Sequence, residues 1–124
     1  MYDHPRCAFT GLAAVRRYLD QRNVEIVAGD ITETCRRLEG EDLVLLFAPR
    51  AVIDTGNYTP ASAALKVVRE RTTPGGAIVF DHFTGTERFR YTLGERIAGR
   101  ALLDDPRWLY LHGTGVFYRQ WIDR

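Results

Sequence analysis

Lysine is nearly missing from this chain: of seventeen basic residues only Lys66 is a lysine, and the others are arginines. The arginines are scattered along the sequence, which reads as compositional bias rather than as a phosphate-binding cluster. Charge of one sign is missing too. Seventeen basic residues face sixteen acidic ones, a net charge of +1, so no whole-protein field argues for nucleic acid. Cysteine is scarce, with only Cys7 and Cys35. Their spacing makes neither a zinc motif nor a disulfide scaffold, and both read as reduced thiols. No apolar run approaches the length that spans a membrane. Met1 to Ala8 holds charges and a proline and does not read as a signal peptide, so the expected location is the cytoplasm. There is no Gly-x-Gly-x-x-Gly motif, phosphate loop, repeat or low-complexity tract.

What is present is a chain of 124 residues, 45% hydrophobic and 27% charged, as in an ordinary soluble globular protein. That length fits a single domain, residues 1–124, with a real core. It excludes a complete large α/β enzyme.

Helix and strand patterns alternate, which predicts an α/β layered domain with a largely parallel sheet. A first helix is expected from about Gly11 to Arg22, capped by Thr10, with Leu12, Val15 and Leu19 on one face. Val24 to Ala28 (VEIVA) reads as a short strand. Asp30 with Glu33 has the form of a capping box before a short helix ending at Leu38. Leu43 to Ala48 (LVLLFA) is an almost unbroken apolar run, as in a central parallel strand, and Ala51 to Ile53 is a smaller apolar patch. Thr59-Pro60 predicts a helix start, with Ala61, Ala64, Leu65 and Val68 facing inward as far as Arg71. Ala77 to Phe80 (AIVF) is a buried strand. Thr92 and Glu95 form a Thr-x-x-Glu capping box ahead of a helix that should bury Leu93, Ile97, Ala101 and Leu102. Trp108 to Leu111 and Val116 to Ile122 flank Gly113-Thr114-Gly115, the pattern of an antiparallel hairpin. Its aromatic residues read as sheet core.

Open α/β sheets bind ligands outside the carboxyl ends of their parallel strands. Neighbouring strands would bring Asp54, Asp81 and His82 to one rim. Two carboxylates and an imidazole there could hold a hard divalent ion, which would draw a substrate hydroxyl towards deprotonation. The competing reading is that these are turn and cap residues. Asp30 is sufficiently explained by capping. His112 reads as a hairpin-end histidine with a local hydrogen bond. Cys7 and Cys35 lack a base partner, and Tyr58 either lines a pocket or packs on its helix.

The segments Asp54-Thr55-Gly56-Asn57-Tyr58-Thr59-Pro60, Ala63-Ala64-Leu65 and Pro74-Gly75-Gly76-Ala77-Ile78-Val79-Phe80-Asp81-His82 occur in that order. Together they resemble the second half of a class I S-adenosylmethionine-dependent methyltransferase, of the macrocin-type (TylF-like) sugar O-methyltransferases. Ala8-Phe9-Thr10-Gly11-Leu12, and Gly29-Asp30 with Thr34, resemble further stretches of that family. The resemblance implies a three-layer Rossmann-like remnant of about five strands, mostly parallel, with a C-terminal antiparallel hairpin. VEIVA would then pair with LVLLFA, and the aromatic hairpin would form the opposite edge. It implies magnesium held by Asp54, Asp81 and His82, catalysis by Asp54 and His82, and the adenine of S-adenosylmethionine near Gly29, Asp30 and Ile31. The family's second acid of the Asp-x-Asp motif falls on Gly56, and the second of its paired acids falls on His82. The glycine-rich donor turn expected in such enzymes has no counterpart in this chain.

The leading expectation is therefore an O-methyltransferase domain acting on a sugar or other hydroxylated metabolite, represented by an incomplete chain. A non-catalytic relative, or a subunit completing a partner's sheet, is the alternative. An unrelated small nucleotide-binding α/β module is the third reading. A small-molecule substrate is expected, with no nucleic acid or membrane, and with a homodimer or partner chain on an open sheet edge.

Overall fold

The computed structural model describes residues 11–20, 24–38, 50–83 and 93–122. Chain order is α1 (Leu12–Tyr18), α2 (Ile31–Thr34) running into a 3-10 turn (Cys35–Leu38), β1 (Arg50–Ile53), α3 (Tyr58–Arg71), β2 (Ala77–Phe80), α4 (Gly94–Leu103), β3 (Trp108–Leu111) and β4 (Val116–Arg119).

Four strands form one mixed sheet in the order β1-β2-β4-β3. Only β1 and β2 run parallel, with Ile53 beside Phe80. β4 lies antiparallel between β2 and β3. The sheet is thus smaller and less parallel than expected. The small patch at Ala51–Ile53, not LVLLFA, supplies the strand beside AIVF; LVLLFA lies outside the described residues. VEIVA carries no strand hydrogen bonding, so the expected pairing at that edge is not formed there. Alternation of valine and isoleucine favours a strand only where a neighbour offers a ladder. VEIVA leaves Val24 and Val27 about 40% exposed.

The core lies between the sheet and the helix pair α3 and α4. It contains Ile53, Ala61, Leu65, Ile78, Phe80, Phe83, Leu102, Trp108 and Phe117. Alternation along β2 buries Ile78 and Phe80, on the side that meets the helices. α3 buries Ala61, Ala64 and Leu65 as its spacing predicts, with Val67 also buried, on the groove side, and Val68 at the core's margin. It starts at Tyr58, with Asn57 rather than Thr59 in the cap position. The hairpin of β3 and β4 places Trp108 and Phe117 in the core, while Trp121 stands out in solvent. α1 starts after Gly11 and buries none of its residues, so the expected apolar face has no cover among the described elements.

α4 departs most from its sequence pattern. Its buried residues are Glu95, Ala98, Gly99 and Leu102. Leu93 and Ile97, the apolar residues expected inside, are 42% and 50% exposed. Only Leu102 keeps the predicted face. The helix is turned so that Glu95, a charged residue, points into the protein.

At the far end of α4, Asp105 ties the helix layer to the hairpin. Its carboxylate accepts from Arg69 at 2.7 Å and from the Arg107 backbone and guanidinium at 2.7–3.1 Å. The Arg107 hydrogen bonds hold this carboxyl far below the usual carboxylate range, against the opposing effect of burial.

Candidate functional site

Parallel pairing of β1 and β2 brings their carboxyl ends together. The Asp81 backbone N–H donates to the Ile53 carbonyl at 3.1 Å, so the residues that follow each strand meet on one rim. There Asp54 lies 3.5 Å from Nδ1 of His82, and Asp81 lies 3.4 Å from Nε2. The expected convergence of Asp54, Asp81 and His82 is therefore present. The two aspartates flank the imidazole from opposite ring nitrogens rather than gathering on one side of it. Both acids are more than half exposed, while the His82 side chain is largely covered.

A third carboxylate completes the cluster, and it comes from Glu95. Its side chain is fully buried. Oε1 accepts the backbone N–H groups of Thr55 at 2.5 Å and Gly56 at 2.7 Å, and Oε2 accepts that of His82 at 2.9 Å. Oε1 also lies 3.6 Å from His82 Nδ1. One side chain thus ties together the loops behind both strands. The sequence assigns Glu95 to a capping box with Thr92. Thr92 lies outside the described residues, and the Glu95 carboxylate is spent on other backbone groups. The missed signal is an acid standing at i with small or apolar residues at i+3, i+4 and i+7 (Ala98, Gly99, Leu102), the buried face of a helix.

Burial pushes the Glu95 carboxyl up, but the N–H bonds from Gly56, His82 and Thr55, with the charge of His82, outweigh it and hold the group below its ordinary range. The loop geometry suits these bonds. Gly56 has φ +68, a left-handed conformation that glycine adopts without a Cβ penalty.

Beside Asp54 an open, mainly apolar groove of about 660 Å³ runs between β1, α3 and the 24–38 segment, lined by Gly29, Ile31, Val52, Ile53 and Val68. Two of the three residues expected near a donor's adenine, Gly29 and Ile31, thus face the same groove as Asp54. Asp30 caps α2, accepting from the Thr32 N–H at 2.9 Å and the Thr32 hydroxyl at 2.7 Å. Cys35 is a buried free thiol at the groove's wall. His112 is exposed at the hairpin end, its ring edge-on to Tyr110 at 6.3 Å. No helix among the described residues is long and apolar enough to cross a membrane.

Two solved structures of CalS11 share this architecture. One is described as a TDP-rhamnose 3'-O-methyltransferase of calicheamicin biosynthesis, with TM-score 0.55, 30% identity, and cover of 78% of this chain and 41% of that one. The other, described as calicheamicin methyltransferase, has TM-score 0.56 and 30% identity, and covers 78% of this chain and 37% of that one. The chain has a methyltransferase-like fold. It spans about two fifths of the length of the solved proteins it matches. No family model and no curated protein matches it. The likeness agrees with the resemblance read from the Asp54 and Pro74-Gly75-Gly76 segments at the level of a sugar O-methyltransferase-like fold, not of the macrocin-type family.

Proposed function

We propose that this chain forms the acceptor-side part of an S-adenosylmethionine-dependent O-methyltransferase acting on a sugar or similar hydroxylated metabolite. The observation that carries the reading is the carboxylate–imidazole cluster of Asp54, His82 and Asp81 at the strand ends, in a fold shared with sugar O-methyltransferases. O-methylation requires an acceptor hydroxyl to lose its proton as its oxygen forms the new bond. Asp54 and His82 are the groups placed to orient that hydroxyl and take the proton. Glu95 holds their two loops in register. When bound, the donor supplies an electrophilic methyl group on a sulfonium sulfur. The groove beside Gly29 and Ile31 offers its adenosyl part an apolar wall.

Calorimetry of the full chain with S-adenosylmethionine tests the donor half of this reading. A dissociation constant below about 1 mM, lost in Ile31→Arg, is the expected result. No heat at several times that concentration would remove the donor. Donor binding without methyl transfer would favour a non-catalytic relative, to which the glycine at position 56 points.

The donor set also fits a divalent cation. One oxygen of Asp54 and one ring nitrogen of His82 lie within 4.8 Å of each other and of a Glu95 oxygen. Because the Glu95 carboxylate already accepts three backbone N–H groups, Asp54 and His82 would hold the ion and Glu95 would add negative charge beside it. Such an ion would lower the proton affinity of a hydroxyl bound to it. The mixed oxygen and nitrogen set suits manganese as well as the expected magnesium. With either ion at ten times its dissociation constant, the melting temperature should rise by about 5 °C. Asp54→Ala should abolish the rise, and Asp81→Ala should leave it. The opposite pattern would place the ion on the Asp81 side of the ring, and no rise in the wild type would remove it.

A further inference from the structure

The helix pair covers one face of the sheet, the one that carries Ile78, Phe80 and Phe117. Strand register lines up the residues of the other face. Val52, Val79, Val116 and Leu111 form one row across all four strands, and Arg50, Ala77, Tyr118 and Leu109 form the next. A sheet with one wet face alternates apolar with polar residues along its strands. Here β2 (AIVF) and β3 (WLYL) are apolar at every position, and Arg50 is the only charged residue in the two rows. Yet Val52 is 69% exposed, and Leu109 and Leu111 are exposed as well. These strands are composed for burial on both faces, and none of the described helices lies on the second one.

α1 shows the complementary defect. Leu12, Val15 and Leu19 follow at i, i+3 and i+7, which places them on one stripe. The helix buries none of its residues, and Leu12 and Leu19 are exposed. Within one chain, a helix with an open apolar stripe and a sheet with an open apolar face thus do not meet. The connection gives α1 a long reach. Val27 lines the same groove as Val52 at the sheet edge. It stands eight positions beyond Leu19, a contour of at most about 29 Å. Four strands are only about 19 Å wide. α1 can therefore leave its own molecule and lie on a neighbour packed beside β1.

We propose that two copies of this chain exchange α1, the Leu12, Val15 and Leu19 stripe of each lying on the open sheet face of the other. Such an exchange about a two-fold axis makes one contact twice and covers both bare surfaces. Size favours it over simple stacking of the two sheet faces. Four strands of four residues present about 250 Å² in projection, whereas a stable interface buries about 800 Å² on each partner. Face against face falls well short. Exchange adds a helix face from each copy and gives the sheet the second helical layer that α/β domains carry. The contact is still smaller than a standard interface, so the dimer is weak and forms with rising concentration. Neither Asp54 nor His82 belongs to it, and it stands independently of the methyl-transfer reading.

Sedimentation equilibrium of the full chain, at concentrations up to about 1 mM, tests the assignment. The expected result is a monomer–dimer equilibrium with a dissociation constant below about 1 mM. Leu12→Glu and Leu109→Glu should each weaken association by about tenfold or more, since each would bury an unpaired carboxylate at the contact. Both side chains are exposed in the monomer, so at low concentration both variants should melt with the wild type. Mixed in equal amounts, the two variants can form a dimer in which one unaltered α1 meets one unaltered sheet face. The mixture should therefore associate more strongly than either variant alone. Leu103→Glu, at an exposed leucine outside both surfaces, should leave association unchanged. A wild type that stays monomeric would overturn the proposal, and a fall in melting temperature in both variants would then mark α1 as docking on its own sheet. Association unchanged in either Leu12→Glu or Leu109→Glu, or weakened equally in Leu103→Glu, would overturn it as well.

Discussion

Replacing Glu95 by alanine should cost about 3–5 kcal/mol of folding stability, an unusually large effect for a charged residue. The substitution would strip the acceptor from three backbone N–H groups, those of Thr55, Gly56 and His82. Buried donors without partners cost about 1–3 kcal/mol each before relaxation or solvent entry. Glu95→Gln keeps the shape and should lose less, about 2 kcal/mol, because one of its two terminal groups becomes a donor facing another N–H. Denaturant unfolding of the three proteins measures both losses. A cost under about 0.5 kcal/mol for the alanine variant, the usual size for an ordinary surface position, would sink the claim that Glu95 joins the two loops.

The same residue sets a pH dependence. The folded carboxyl is held below its ordinary value of 4.5, so its contribution is present above that pH and is lost as the pH falls through the depressed folded value. Asp105 behaves alike from an ordinary value of 3.8. Stability should therefore be level with respect to these two groups above about pH 5 and should fall on further acidification. In Glu95→Gln the Glu95 share of that fall should vanish, leaving a shallower slope.

Gly94→Ala should also destabilise, although alanine at a helical position ordinarily gains about 1 kcal/mol over glycine. A Cβ at residue 94 would lie 2.2 Å from the Tyr58 backbone nitrogen and 2.4 Å from the Asn57 carbonyl carbon. Those neighbours are backbone at the start of α3 and have no rotamer to yield. Overpacking of this kind costs about 1–3 kcal/mol. The substitution should also separate α4 from α3 and so pull Glu95 off the Thr55 and Gly56 N–H groups. Amide exchange at those two residues should rise with it. A melting temperature equal to or above that of the wild type would contradict this packing.

The convergence of Asp54, Asp81 and His82 was legible in the sequence because strand ends in an open α/β sheet share a rim, and short apolar strands ending in polar residues mark where that rim lies. The hairpin was legible for a similar reason, since Gly113-Thr114-Gly115 separates two aromatic strand patterns. Glu95 was not legible. Hydrophobic periodicity assigned the inner face of this helix to Leu93, Ile97, Ala101 and Leu102. The two largest of the first three, Leu93 and Ile97, are 42% and 50% exposed. Only Leu102 of the four is buried. Three backbone N–H groups supplied by distant loops made it favourable to bury a carboxylate instead. The strand beside AIVF was also misplaced. LVLLFA, the more apolar segment, was expected there as a central strand, but among the described residues Arg50–Ile53 is the one that pairs with β2.

By itself the sequence determined the class of the protein: alternating helix and strand patterns, a buried AIVF strand, a helix from the Thr59-Pro60 region to Arg71, and polar residues waiting at strand ends. Those features depend on local periodicity, which is written in consecutive residues. Only the tertiary structure decided which strands pair, which face of α4 turns inward, and that Glu95 joins the loops behind β1 and β2. Those outcomes depend on which distant groups need partners. A free N–H at residue 55 or 82 is invisible until the chain folds, and its need is met by whichever acceptor the packing brings within reach.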